Sequence, residues 1–319
     1  MIATYSHIPV LAPRALELLS PSLGGENPLL VDATLGLGGH TEMFLASIPA
    51  LRVLGIDRDP EALEQSRERL APFGDRVMFA QCRYDELGGA LDEYLPGLAP
   101  QAILFDLGVS SLHLDKAERG FSYSHDAPLD MRMNPHDDTS AADILQSFTE
   151  ADLADLFHRL GDEKLSQRYA RAIVERRLQA PIVRTGDLVD VLQEATPHAL
   201  KDKGHPAKRV FQALRMAVNH ELESLSRALP VAFTRVAVGG RVAIMSYHSG
   251  EDRLVKRELR KLSVSTAPHG LPTELPEHQP SFREITRGAE MASAEEIAVN
   301  PRSASVRLRA GEKVKEVLS

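Results

Sequence analysis

Cysteine is almost absent from this 319-residue chain. The one thiol, Cys82, excludes internal disulfides, argues for a reducing compartment and reads as a small hydrophobe near a strand end. No run of eighteen apolar residues occurs, and Met1 to Val10 carries neither the basic region nor the long apolar stretch of a secretory signal. The expectation is a cytoplasmic protein with no membrane attachment. Internal repeats and low-complexity tracts are missing as well. No cluster of His, Cys and Asp stands at ligand spacing, so no metal is expected. Ser246-x-His248 lacks the setting of a nucleophile elbow. What remains is ordinary globular composition, 43% apolar and 26% charged, in a length that suits one large domain or one domain plus an insert.

Positive charge is also in deficit, with a net charge of −8. That argues against nucleic acid only until the charge is resolved along the chain. Arg159 to Arg215 holds twelve Lys and Arg against seven Asp and Glu, which points to one basic face. A solvated helical surface explains the same pattern. Within this stretch Arg168, Arg171, Arg176 and Arg177 are the best candidate phosphate contacts, since guanidinium forks clustered on one helix bind phosphate well.

The chain is organised around Leu29-Leu30-Val31-Asp32-Ala33-Thr34-Leu35-Gly36-Leu37-Gly38-Gly39-His40-Thr41. An apolar run, an acid, glycines and a helix-like segment read as strand, tight turn and helix, with bare backbone turned to a ligand. Asp57 closes a second apolar run twenty-one positions after Gly36, where a carboxylate at a strand tip grips ribose hydroxyls. A dinucleotide site needs a third glycine, but Thr41 stands in its place, and Asp32 at the mouth suits a cation better than a pyrophosphate. The spacing of Asp32, Thr34, Gly36 and Gly38 resembles the glycine turn of methyltransferases, whose S-adenosylmethionine carries an ammonium and a sulfonium. Asp106 closes a third run at the same edge, and Tyr84 follows the strand between them, where it packs on an adenine ring or is an ordinary half-buried tyrosine.

Strand and helix alternate from residue 29 to 106: strands at 29–33, 51–56, 76–81 and 102–106, helices from about 41, at 60–70 and at 86–94. This predicts a doubly wound, Rossmann-like α/β sheet with ligands at the carboxyl ends of its strands. Alternation then stops. Helical patterns at 141–146, 150–159, 165–179 and 185–194 predict an inserted all-helical lobe, bounded at 113–206, between core segments 1–112 and 207–319. One long helix or two at 207–237, a strand at 241–246, a helix at 251–262 and a final edge strand at 305–309 complete the core.

Six segments of the first half match a known family: His7-x-Pro9-Val10-Leu11, Thr34-x-Gly36-x-Gly38-Gly39-His40, Asp57-Arg58-Asp59-Pro60, Asp106-Leu107-Gly108-Val109-Ser110-Ser111, Glu118-Arg119-Gly120-Phe121-Ser122 and Pro128-Leu129-Asp130-Met131-Arg132-Met133. His205-Pro206-Ala207-x-Arg209-x-Phe211-Gln212-Ala213-Leu214-Arg215, Ser246-Tyr247-His248-Ser249-x-Glu251-Asp252-Arg253 and Asn300-Pro301-Arg302 continue the match. Together they resemble the bacterial 16S rRNA cytosine-N4 methyltransferases, the MraW (RsmH) family, over nearly the whole chain. The resemblance implies a class I S-adenosylmethionine methyltransferase core and methylation of the exocyclic amine of a cytidine in the decoding region of 16S rRNA. It implies a small ribosomal subunit as partner, leaves a homodimer open, and maps cofactor contacts onto Gly38, Gly39, His40, Asp57, Tyr84, Asp106 and His113. Departures stand at Gly250, usually aliphatic, at His113, commonly glutamine, and at Ala304, often basic.

A cytosine amine shares its lone pair with the ring, so an acceptor must draw on its N–H as the new bond forms. The Asn/Asp-Pro-Pro-aromatic signature of DNA amino methyltransferases does not follow Phe105; Asp106 to Ser111 occupies that place. Asp106 is therefore the candidate acceptor, or only a cofactor ligand, and Ser110 a candidate pocket wall. Asp130 and Arg132 are candidates for sorting the substrate, with a mutual surface ion pair as the alternative. His248 and Ser249 leave a strand at the ligand edge. The insert is expected to help enclose the target base. A nicotinamide dehydrogenase and an RNA-binding scaffold without catalysis are the competing classes; Thr41 and Asp32 argue against the first, the intact glycine turn against the second.

Overall fold

Apolar runs, three of the four ending in an acid, make strand and helix alternate through the first third of the chain. In the computed structural model, which describes residues 9–200, 204–268 and 275–317, they form α1 (Ala12–Leu19), β1 (Leu29–Asp32), α2 (Gly39–Ser47), β2 (Arg52–Asp57), α3 (Pro60–Leu70), β3 (Val77–Gln81), α4 (Leu87–Tyr94) and β4 (Ala102–Asp106). α3 shows the local logic. Asp59 caps it by accepting the Glu61 N–H at 3.0 Å, and Pro60 occupies the first turn, where a missing N–H loses nothing. Then come α5 (Ser111–Asp115), α6 (Ala141–Ser147), α7 (Glu150–Gly161), α8 (Ser166–Arg177), α9 (Thr185–Ala195) and α10 (Ala207–Val218). The chain ends through α11 (Glu221–Arg235), β5 (Arg241–Ser246), α12 (Ser249–Ser263), β6 (Phe282–Glu284), α13 (Ala294–Val299) and β7 (Arg307–Lys313).

Two units result, one running to Gly108 and resuming at Leu222, the other Val109–Glu221. The first holds a sheet in the order β3-β2-β1-β4-β5-β7-β6, its first five strands parallel and β7 antiparallel to both neighbours. Alternate side chains leave on opposite faces. Val31, Ile103, Phe105 and Ile244 pack with α4, α11 and α12, while Leu30, Leu104, Ala243 and Met245 pack with α1, α2 and α3. Both faces are covered, which makes this the predicted doubly wound α/β sheet. The end of the chain differs from expectation: β7 is longer than 305–309 and lies inside the sheet, with β6 at the edge. β6 is three residues with one inward apolar side chain, Phe282, packed edge-on to Phe233 at 5.1 Å, which is too little pattern to read.

A buried lysine closes this unit. The Lys313 ammonium donates to Thr234 O at 2.8 Å and Val236 O at 2.9 Å, satisfying carbonyls at the end of α11, and meets Glu316 at 2.8 Å. Lys313→Met keeps the bulk but orphans both carbonyls. We expect it to lower stability by about 1–3 kcal/mol, seen as a fall in urea midpoint at constant slope; an unmoved midpoint would remove this role.

The second unit is helical, with one isolated bridge between Pro128 and Arg184 and no strand among its described residues. Its core gathers Phe157, Tyr169, Ile173, Leu188, Phe211 and Leu214. The boundaries expected at 113 and 206 sit instead at 109 and 221 because α10 belongs here. A Cβ on Gly161 of α7 would stand 2.6 Å from Arg209 O, so only glycine admits α10 this closely. The stretch 207–237 is two helices: Asn219, fully buried, donates to Met131 O and accepts the Met133 N–H, both at 2.8 Å, and His220 turns left-handed at φ +51°.

Candidate active site

β1 delivers the chain into its glycine turn at the carboxyl edge of the sheet. Gly36 and Gly38 take φ of +52° and +75°, a conformation that side chains resist, and Gly38 opens α2. A Cβ on Gly39 would lie 2.6 Å from Pro9 Cγ, so this glycine serves packing as well as the turn. From β2, the Asp57 carboxylate accepts the N–H of Gly36 at 2.7 Å and of Asp59 at 2.9 Å, which fixes it beside the turn. Tyr84 lies past β3, partly buried, with its ring edge-on to Phe105 at 6.1 Å.

Asp32 departs from its expected place at the mouth. It is 1% exposed and accepts the Thr41 hydroxyl at 2.8 Å and the Thr34 N–H at 3.3 Å, so it ties the turn to α2 from beneath. Thr41 is thereby explained as its partner. Burial pushes the Asp32 carboxyl up to about 6, opposed by the nearby His40 and by those two hydrogen bonds. Because the folded value lies above that of the unfolded chain, the folded state holds a proton the unfolded chain sheds. The stability this contributes is complete below about pH 4 and is lost as pH rises through 6. Asp32→Asn should therefore gain on the wild type by up to about 3 kcal/mol between pH 4 and 7. Denaturant midpoints in parallel buffers test this; identical pH profiles would refute it.

At the tip of β4, the Asp106 N–H donates to Thr34 Oγ1 at 2.6 Å. Its carboxylate, a quarter exposed, accepts the Tyr247 hydroxyl on Oδ1 at 2.6 Å and has His40 Nδ1 3.6 Å from Oδ2. His40 Nε2 lies 2.9 Å from Val10 O, so Nε2 carries the hydrogen and Nδ1 faces Asp106. Tyr247 keeps its proton: burial, then the Asp106 charge, hold the phenol well above its ordinary range. The sequence motif contains Tyr247, but no site role pointed to it. The signal was sheet register, since Asp106 pairs with Met245 of β5 and Tyr247 lies just beyond.

The model of the MraW methylase family matches residues 4–314 of this chain. The chain belongs to that family. S-adenosylmethionine is its methyl donor, which sets the nicotinamide reading aside. The ribosomal RNA small subunit methyltransferase H of Clavibacter michiganensis is 56% identical over 97% of both chains. Its namesake from Mycobacterium marinum is 54% identical over 97% of this chain and 80% of the relative. A solved rRNA methylase from Streptococcus thermophilus aligns over 99% of both chains at 15% identity, with a TM-score of 0.43. The donor set fits the cofactor: strand-tip carboxylates suit hydroxyls and a cation, and the turn presents backbone.

Other residues of the MraW methylase motifs work locally. Ser110 precedes α5, and its N–H and hydroxyl both lie 3.2 Å from His113 Nδ1. His113 is buried against Phe121, rings 4.8 Å apart. Arg132 grips Asp130 with two guanidinium bonds of 2.9 and 2.7 Å plus its own N–H at 2.9 Å. Burial opposes it, yet these bonds bring the half-buried Asp130 carboxyl below its ordinary range. The pair sits in a clamped loop, with Met131 at φ +62° and Arg119 donating to the carbonyls of Arg132 and Met133. His248 caps α12, its Nδ1 accepting from Gly250 and Glu251 at 3.2 and 3.3 Å, while Ser249 is exposed at the first position. His7 lies outside the described residues.

The four arginines of α8 are engaged. Arg168 donates to Ala195 O and Arg177 to Leu145 O, while Arg171 faces Glu150 at 3.5 Å and Arg176 meets Glu194 at 3.0 Å. Arg168 and Arg171 also line an open groove of about 1280 Å³ with Lys164 and His158, but Glu150, Asp155 and Glu175 share it.

Proposed function

We propose that this chain methylates the exocyclic N4 amine of a cytidine in the decoding region of 16S rRNA, with Asp106 accepting the amine hydrogens. The observation that carries this reading is the Asp106 carboxylate, held at a strand tip beside the glycine turn by the Tyr247 hydroxyl and flanked by His40. The relatives named for small-subunit rRNA methylation supply the substrate class. The cofactor brings an electrophilic methyl group, so the protein supplies alignment and a proton acceptor. Gly36, Gly38 and Asp57 hold the donor side, and Asp57 takes its ribose. As nitrogen gains the methyl carbon, its N–H weakens, and the Asp106 carboxylate accepts that proton. Tyr247 orients the carboxylate by occupying Oδ1. His248 and Ser249 touch RNA, and the partner is the small ribosomal subunit in the cytoplasm. Among the described residues, no helix is long and apolar enough to cross a membrane.

The deciding experiment incubates the protein with methyl-labelled cofactor and small subunits, then maps the product nucleotide by mass spectrometry. N4-methylcytidine in the decoding region is the expected product. Label on another base, or on the cytidine ring carbon, overturns the assignment.

A further inference from the structure

α12 leaves β5 at the sheet edge where Asp106 sits, yet its outward face has no part in the site above. Leu254, Val255 and Leu259 are buried against the sheet, and Arg253, Lys256, Arg257, Arg260 and Lys261 are exposed. At about 100° per residue, the five cations fall within an arc of roughly 140°, and the apolar residues fill the opposite side. The acids of this helix are already spent. Glu251 accepts the Tyr247 N–H at 2.8 Å, Asp252 holds Arg309 at 2.7 Å, and Glu258 takes both Arg257 and Lys261 at 2.8 and 2.7 Å. Among the described residues, Arg253, Lys256 and Arg260 have no salt-bridge partner, unlike the four arginines of α8. Spaced i, i+3 and i+7, they form one line about 10 Å long beginning two turns or fewer from the strand tip.

We propose that the outward face of α12, through Arg253, Lys256 and Arg260, docks the phosphate backbone of the RNA substrate; this rests on the reading of the chain as an rRNA methyltransferase. An uncompensated row of cations on a chain of net charge −8 is a local attraction. Each cation that meets phosphate releases counterions, so its loss is visible in the salt dependence. Arginines already tied to carboxylates and carbonyls have less to gain from phosphate, which is why this face and not α8 is assigned the contact. The row starts at the catalytic edge, where RNA must pass to present its base.

The test uses the full chain, with Arg253, Lys256 and Arg260 all replaced by Gln, and binding to transcribed small-subunit rRNA and to small subunits across a salt series. Loss of three phosphate contacts should lower the log-log salt slope by about 2 to 3. Cofactor affinity by calorimetry should stay constant, and an R253K/R260K variant should keep the wild-type slope. Superimposable lines for wild type and triple variant overturn the proposal. So does a slope that falls only when Arg168, Arg171, Arg176 and Arg177 become Gln, since that returns the contact to α8. Wild-type methyl transfer to the same RNA checks the underlying reading: its absence sinks both, while intact transfer with unchanged slopes sinks the α12 face alone.

Discussion

Asp106→Asn should lower the methyl-transfer rate by about 10²- to 10⁴-fold, the range for losing a positioned proton acceptor, while cofactor binding stays within a few-fold. Asparagine keeps the shape and one acceptor oxygen, so the Tyr247 hydroxyl at 2.6 Å still finds a partner. What it loses is the charge that takes the amine proton. The fall belongs in kcat at saturating RNA, since the carboxylate acts as the N–H weakens and not when RNA first binds. Tyr247→Phe is the companion variant. It frees Oδ1 from the hydroxyl that orients it, so it should lower kcat less than Asp106→Asn, with KM for RNA unchanged. If the two were independent their effects would multiply; the double variant should instead resemble Asp106→Asn alone. Full activity of Asp106→Asn would assign the carboxylate to cofactor holding, and labelled transfer under single-turnover conditions separates the two.

The parts of this fold legible in the sequence are those whose causes are local. β1, β2 and β4 announce themselves because buried parallel strands are apolar throughout and each ends in Asp32, Asp57 or Asp106. α3 is legible from Asp59-Pro60 alone. The break between α10 and α11 is not, because Asn219 stops the helix by bonding Met131 and Met133, 86 to 88 positions away. Asp32 shows the same limit in the site. Its place in the motif is readable, but its burial depends on Thr41 and His40 closing over it, so a residue expected to face a cation is a tie beneath the turn. Asp130 and Arg132 stand two apart in sequence, and the extent to which they satisfy each other shows only in the clamped loop that Asn219 and Arg119 hold. For α8 the sequence reveals four arginines but not Ala195 O, Leu145 O, Glu150 and Glu194, which lie on other elements and engage them.

Asp57→Ala should weaken cofactor binding by about 1.5–3 kcal/mol, the range for hydrogen bonds to a charged group, or on the order of 10- to 150-fold in Kd. Two mechanisms give that loss. The carboxylate grips ribose hydroxyls, and it also accepts the Gly36 and Asp59 N–H groups, so its removal loosens the turn that faces the cofactor. A chemical cycle separates them. S-adenosylhomocysteine and its 2′,3′-dideoxy analogue are titrated by calorimetry against wild type and Asp57→Ala. If Asp57 holds the ribose, the dideoxy analogue binds wild type about as weakly as Asp57→Ala binds the parent compound, and removing both partners costs little more than removing one. If Asp57 serves only the turn, the two losses add. Asp57→Asn sharpens the result, because an amide nitrogen must then face one of two N–H donors 2.7 and 2.9 Å away, which opposes the turn while sparing the volume. Loss with Asn equal to loss with Ala, together with additive effects of the analogue, would assign Asp57 to the turn and leave the ribose to another group.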